Sequence, residues 1–299
     1  MSRSYKATGI NLKGMPMGET DRLVTILTIE HGLVRVIVPG ARKHKSRLAG
    51  RSSQFVVNEL FIVQGKSLDK LVQAETIRSF PKLSTDLARL TASQYLAELV
   101  LFQALSGPAQ GELFALIVEQ LQRLEHVSTD DIPACLNQGI FQLLVAAGIA
   151  PELHQCSVSE VDIVPDLTEP GWQIGFSPGA GGVVSLAQLD RLSVSSARAR
   201  IAAGRYAVST GKNHRPRGDR PGPLHTLLTA QELVWLQQLS RAEPVAGQSL
   251  PGMGTKAQQT LGWQRIERLL RQYAEFHFDR SIRSASLIDT CFSAETATR

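Results

Sequence analysis

The sequence predicts an α+β fold, a small five-stranded barrel at the N-terminus followed by a mainly helical domain. Three observations carry this. The first eighty residues hold five short apolar runs of strand type with no helical run between most of them. From about residue 81 the apolar residues recur at helical spacing. Charge is unevenly divided: residues 1–80 hold 13 Lys+Arg and 6 Asp+Glu, net +7, and residues 81–299 hold 19 and 21, net −2. The expected division is therefore 1–80 for a nucleic-acid-facing barrel and 81–299 for the helical domain, with an irregular stretch at about 151–222.

The barrel is read in order. Tyr5–Leu12 is a short strand. Arg22–Ile29 and Leu33–Val38 are rich in β-branched residues and flank the tight turn His31-Gly32, the strongest hairpin signal in the chain. Gln54–Val63 is the fourth strand, with Val56, Leu60 and Ile62 on one face and Phe55, Val57 and Phe61 on the other. Gln64–Ser67 turns the chain into Leu68–Ile77. Five strands in this space fit a closed barrel of the OB type, which commonly binds nucleic acid.

Between the third and fourth strands lies Gly40–Arg51, GARKHKSRLAGR. It carries Arg42, Lys43, Lys45, Arg47 and Arg51, and no Asp or Glu occurs between Glu30 and Glu59. Such a loop suits either open solvent or a polyanion. The barrel segment has only four aromatics, Tyr5, Phe55, Phe61 and Phe80, and Phe55 and Phe61 are expected in the core. Nucleic-acid affinity should then rest on phosphate contacts and fall steeply with salt.

In the second part Ser84 is expected to cap a helix reaching about Leu105, with Asp86 in its first turn and Gly107-Pro108 ending it. Glu112–His126 is a second helix. Asp130 and Asp131 cap a third, with Pro133 in its first turn, Cys135 buried along it and Gly148 as its stop. The stretch 151–222 is dense in Gly and Pro, and Arg205–Arg220 forms a basic insertion. Helix returns at Thr229 and again over Gly254–Phe278. Thr229/Glu232 and Thr255/Gln258 have capping-box spacing. Ser293–Arg299 is expected to fray.

Catalytic signatures are weak. Gly65-Lys66-Ser67 resembles the end of a phosphate-binding loop, but Leu60 stands where its first glycine belongs. No HExxH, GxSxG or paired-cysteine spacing occurs, and no cofactor is expected. Three distant cysteines describe no disulfide framework, and no membrane-length apolar run or secretory signal is present, so a cytoplasmic location is expected.

The runs Gly18–Gly50, Gln54–Glu75, Leu143–Cys156 and Gly175–Ser185 resemble the RecO family of bacterial recombination mediators, in the family's order and over most of the chain. The resemblance implies a nucleoid-associated protein that binds single- and double-stranded DNA and anneals complementary strands. It also implies a mediator that helps RecA replace single-stranded DNA-binding protein, with RecR as the usual partner. The family's basic surface maps onto Arg22, Arg35, Arg42, Lys43, Lys45, Arg47 and Arg51. Arg22 and Arg35 lie on strands, where Glu19, Asp21 or Glu30 are alternative partners. Many members also carry a zinc-ribbon-like subdomain with two cysteine pairs. Here those positions are Cys156 and Ser159, then Ser185 and Gln188, so no structural zinc is expected. Two other readings stay open: a metal-dependent nuclease that holds substrate on the basic barrel, and an adaptor whose basic loop meets an acidic protein tail.

Overall fold

The computed structural model describes residues 4–189, 191, 225–241, 243–248 and 254–293. The basic insertion expected over Arg205–Arg220 and the tail beyond Ser293 lie outside them. The chain forms two compact units, residues 1–147 with 281–299, and residues 148–280.

The first unit opens with a closed barrel of order β1-β2-β3-β5-β4. Its strands are β1 (Ser4–Met17), β2 (Asp21–Thr28), β3 (Gly32–Val38), β4 (Val57–Val63) and β5 (Asp69–Arg78). Neighbours pair antiparallel except β3 and β5, which meet in parallel at Val36↔Asp69 and Ile37↔Lys70. Val24, Ile26, Val36, Val38, Leu60, Ile62, Leu71 and Ala74 fill the interior. The alternation of strand side chains puts these residues on one face and leaves the odd-numbered residues of β2 outside.

Two strand expectations need correction. The first strand does not stop at Leu12. A bulge between Asn11 and Lys13 lets β1 run on to Met17 against β2. The bulge buries both Asn11 and Leu12 and turns Lys13 and Met15 outward. Phe55 is not a strand residue. It sits in the left-handed region at φ 62 and is buried just before β4.

Three helices complete this unit: α2 (Leu87–Gln103), α3 (Gly111–His126) and α4 (Ile132–Ala146), with a one-turn helix α1 (Leu48–Arg51) inside the basic loop. The cap of α2 is Asp86 rather than Ser84; its carboxylate accepts the N–H groups of Ala88 at 2.8 Å and Arg89 at 3.2 Å. The Ser84 hydroxyl instead closes the preceding one-turn helix on the Pro81 carbonyl. Asp131 stands at the N-cap of α4, but its carboxylate takes the Ser128 hydroxyl and caps no backbone N–H. Pro133 is tolerated in that first turn because its missing N–H would have had no partner. Helix α7 (Ala285–Ser293) packs on α2, and the Glu98 carboxylate accepts the Arg283 and Ser284 N–H groups just before it.

The second unit holds a three-stranded antiparallel sheet, β7 (Gly182–Val184), β6 (Gln173–Ser177) and β8 (Thr226–Thr229) in that order. The stretch expected to be irregular thus contains two of the three strands. Helices α5 (Ala230–Leu239) and α6 (Lys256–Phe278) follow, and both expected capping boxes form. Trp235 and Trp263 stack at 5.0 Å between them.

Helices α2 and α3 join the barrel through the β2–β3 turn. Leu33 N–H donates to Leu105 O at 2.8 Å, and Gly107 N–H to His31 O at 3.0 Å. Gly32 makes this approach feasible: its φ is +61, and a Cβ there would lie 2.2 Å from Leu105 O and 2.7 Å from Pro108 O. Both obstacles are backbone. Gly32→Ala is therefore expected to destabilise the protein by about 2–4 kcal/mol, read as a lower urea midpoint.

Candidate nucleic-acid interface

The basic loop is an ordered structure. Gly40 turns the chain at φ +62, and its N–H donates to Asp21 Oδ1 at 2.8 Å. Arg42 N–H donates to Thr20 O at 2.9 Å, and its guanidinium to Gly18 O at 3.1 Å. Turn bonds Lys43 N→Gly40 O and Ser46 N→Lys43 O carry the chain into α1. Leu48 packs on the barrel core, which anchors α1 at its start. Arg42, Lys43, Lys45 and Arg47 are exposed, and Arg51 is half-buried. The Gly40 N–H, then the Thr20 hydroxyl and the Lys43 and Lys70 charges, hold the Asp21 carboxyl below its ordinary value against a small effect of burial. This one carboxylate thus fixes the start of a cationic loop and stays ionised there.

Strand register adds residues that the sequence reading missed. Lys13, Thr25 and Arg35 are partners across β1, β2 and β3, and Met15, Leu23, Ile37 and Lys70 are partners across β1, β2, β3 and β5. Partners in register share a face, so Lys13 and Lys70 join Arg35 around Met15, Leu23 and Ile37 on the outside of the sheet. Lys13, Arg35 and Lys70 are all exposed. Lys13 is invisible to a reading that ends the strand at Leu12, and Lys70 because the β3–β5 contact joins residues more than thirty apart.

Arg22 has a different task from the rest. It lies on the inward parity of β2 at the end of the barrel, and its Nη1 donates to Ser52 O and Oγ, both at 3.1 Å. Neither Arg22 nor Arg35 forms an ion pair with Glu19, Asp21 or Glu30 among the described residues. Glu30 instead accepts the Thr8 N–H with both carboxylate oxygens.

The outer side of β1, β4 and β5 has the opposite charge. An open groove of about 580 Å³ is lined by Lys6, Glu30, Glu59, Phe61 and Glu75, among others. Glu59 pairs directly with Glu75 across β4 and β5. A phosphate backbone is repelled there, which confines DNA to the loop and to the β1–β2–β3 face. The barrel's four aromatics are not on that face. Phe55 and Phe80 are buried, Tyr5 donates its hydroxyl to Asp69 at 2.6 Å, and Phe61 lines the acidic groove.

In the second unit Cys156 occupies the first position of the ribbon-like site. Its sulfur accepts the Ser185 N–H at 3.4 Å. Burial pushes this thiol up, but the Ser159 hydroxyl and the N–H groups of Ser185, Val158 and Ser159 outweigh it and bring it down to about 7. Serine hydroxyls now stand where zinc would need thiolates, and they satisfy the sulfur by hydrogen bonding. A tetrahedral zinc site does not fit these residues. No group of three His, Cys, Asp or Glu side chains suited to a metal occurs among the described residues, so the nuclease reading gains no site there. No helix among them is long and apolar enough to cross a membrane.

The family description "Recombination protein O N terminal" matches residues 1–80, and "Recombination protein O C terminal" matches residues 84–209. The chain belongs to the RecO family. It is 50% identical over 293 residues to the DNA repair protein RecO of Acaryochloris marina, covering 98% of this chain and 97% of that one. Against the protein of the same name from Cyanothece sp. it is 50% identical over 298 residues, covering 98% of each. Against that of Gloeothece citriformis it is 48% identical over 292 residues, covering 97% of this chain and 98% of the other. Membership in the RecO family gives the chain a role in DNA repair and recombination, with DNA and the recombination machinery as its partners. None of these relatives' names carries an enzymatic activity.

The charges set two local expectations. Glu75→Lys would face Glu59 with an opposite charge and is expected to stabilise the barrel by roughly 0.2–1 kcal/mol, read by chemical denaturation. The Cys156 thiol, depressed from its ordinary 9.0 to about 7, contributes stability that is full above 9.0 and lost as pH falls through about 7. A thiolate ultraviolet absorbance with that midpoint is expected. It should vanish in Cys156→Ser and shift upward in Ser159→Ala. Cys135, pushed up to about 12 chiefly by burial, will not obscure it.

Proposed function

We propose that the protein is a recombination mediator. It binds single- and double-stranded DNA on the loop Arg42, Lys43, Lys45, Arg47 and Arg51 and on Arg35, with Lys13 and Lys70 beside it. Arg22 acts from behind, through Ser52. The observation that carries this reading is an ordered cationic loop beside a cationic sheet face that lacks aromatics. Cations on both sides screen the repulsion between two phosphate backbones. With no aromatic platform to stack on, the bases stay free to find complements, which favours annealing over simple coating.

In this reading the protein anneals complementary strands and helps load RecA onto DNA coated by single-stranded DNA-binding protein, with RecR as its partner. It acts in the cytoplasm, at the nucleoid. Charge screening cannot by itself displace a tightly bound coat protein, so a protein contact completes the task.

The test is the joint charge reversal R42E/K43E/K45E/R47E. Expected is a fall in DNA affinity of about a hundredfold or more at moderate salt, with the salt slope shallower by roughly 0.7 for each single-strand phosphate no longer neutralised. Circular dichroism and the melting curve should be retained, because all four side chains are exposed. Labelled complementary strands should anneal intact with the unmodified protein, with or without Mg²⁺. Shortened strands would point to a nuclease. DNA affinity unchanged by the four substitutions would overturn the loop's role and favour an adaptor.

A further inference from the structure

The loop's cations lie at its tip, but the most heavily bonded part of the loop is its far end, Arg51–Ser53. Two buried amides converge there. Asn11, 2% exposed, donates its Nδ2 to Arg51 O and Ser53 O, both at 2.8 Å. Asn58, fully buried, donates its Nδ2 to the same Arg51 O at 2.9 Å, and its Oδ1 accepts the Thr76 hydroxyl at 3.1 Å. Arg51 O is therefore saturated by two side-chain donors from two different strands. Arg22 completes the clamp on Ser52, which is itself buried.

We propose that Asn11 and Asn58 are positioning residues for DNA binding: they lock the Arg51–Ser53 backbone and so hold the cationic loop ordered before DNA arrives. This rests on the reading that the loop binds DNA. The chemistry requires asparagine. Each site needs a neutral N–H₂ aimed at carbonyls in a place closed to water; a carboxylate cannot donate, and an aliphatic group leaves the carbonyls unpaired. The bulge in β1 is what brings Asn11 inward to do this.

Ordering matters because five like charges on a free loop spread apart, and DNA must then meet the cost of gathering them. A clamped loop presents its cations already gathered. Loss of the clamp leaves every cation in place. Binding should weaken without a change in the number of phosphates neutralised, which a loss of charge cannot imitate.

The experiment compares Asn11→Ala, Asn58→Ala and Thr76→Val with the unmodified full-length protein. Thr76 is exposed, so Thr76→Val loosens Asn58 without opening the core, and it keeps the test valid where Asn58→Ala fails to fold. Limited trypsin digestion reads loop order directly, because the scissile carbonyl of Arg51 is the one held by both amides. Expected is cleavage after Arg51 about tenfold faster in the alanine variants, following local opening, with a smaller rise in Thr76→Val. Affinity for a labelled oligonucleotide should fall about fivefold with the salt slope retained. Unchanged cleavage in the folded variants, or faster cleavage with unchanged affinity, would overturn the proposal; so would a shallower slope, which signals that fewer phosphates are neutralised. Failure of the underlying DNA reading is recognised separately, by indifference of the charge-reversed loop.

Discussion

Closure of the barrel rests on its narrowest seam. Strands β3 and β5 meet in parallel over two residue pairs, Val36↔Asp69 and Ile37↔Lys70, whereas the antiparallel seams run seven residues or more. A parallel contact so short needs support, and Tyr5 supplies it from β1. Its hydroxyl donates to Asp69 at 2.6 Å, and burial first, then the Asp69 carboxylate, raise the phenol's pKa and keep it protonated. The barrel core, Ile37 in the outer face and the placement of Lys70 near the loop all depend on that seam being shut.

With the barrel closed, its outside divides by charge and by cover. Ile10, Leu27, Leu33 and Val57 are register partners on the outer side, and Ile10, Leu27 and Val57 are buried. Helices α2 and α3 pack on β1, and α3 also on β2. The remaining surface separates into a cationic part on the loop and β1–β2–β3, and an acidic groove on β1, β4 and β5. A polyanion finds one favourable place. The aromatics are held inside or bonded elsewhere, so phosphate contact rather than base stacking dominates what this surface can do.

Much of this is legible in the residues, for identifiable reasons. The β2–β3 hairpin is visible because β-branched runs and His31-Gly32 agree locally. Both capping boxes are visible because Thr–x–x–Glu and Thr–x–x–Gln state their own geometry. The cap of α2 lies two residues beyond its expected place, since Ser84 and Asp86 are both good caps and the choice falls to the turn made by Pro81. Phe55 reads as a strand residue because nothing local shows that the chain turns through positive φ before β4. The stretch 151–222 reads as irregular because its glycines and prolines hide two short strands that exist only by pairing with each other and with β8.

The sequence alone determined that the cations sit in one loop after one hairpin, in the only strongly basic part of the chain, and that the ribbon-like site lacks its thiols. These are properties of composition and order. Tertiary structure decided which cations act together and what steadies them. Lys13 and Lys70 join Arg35 through strand register, Arg22 leaves the surface to hold Ser52, and Asn11 and Asn58 meet at one carbonyl from strands far apart in the chain. Register and buried hydrogen bonding are relations between distant residues, set by the need to satisfy every polar group the barrel encloses. A linear reading carries the donors and acceptors, but folding alone pairs them.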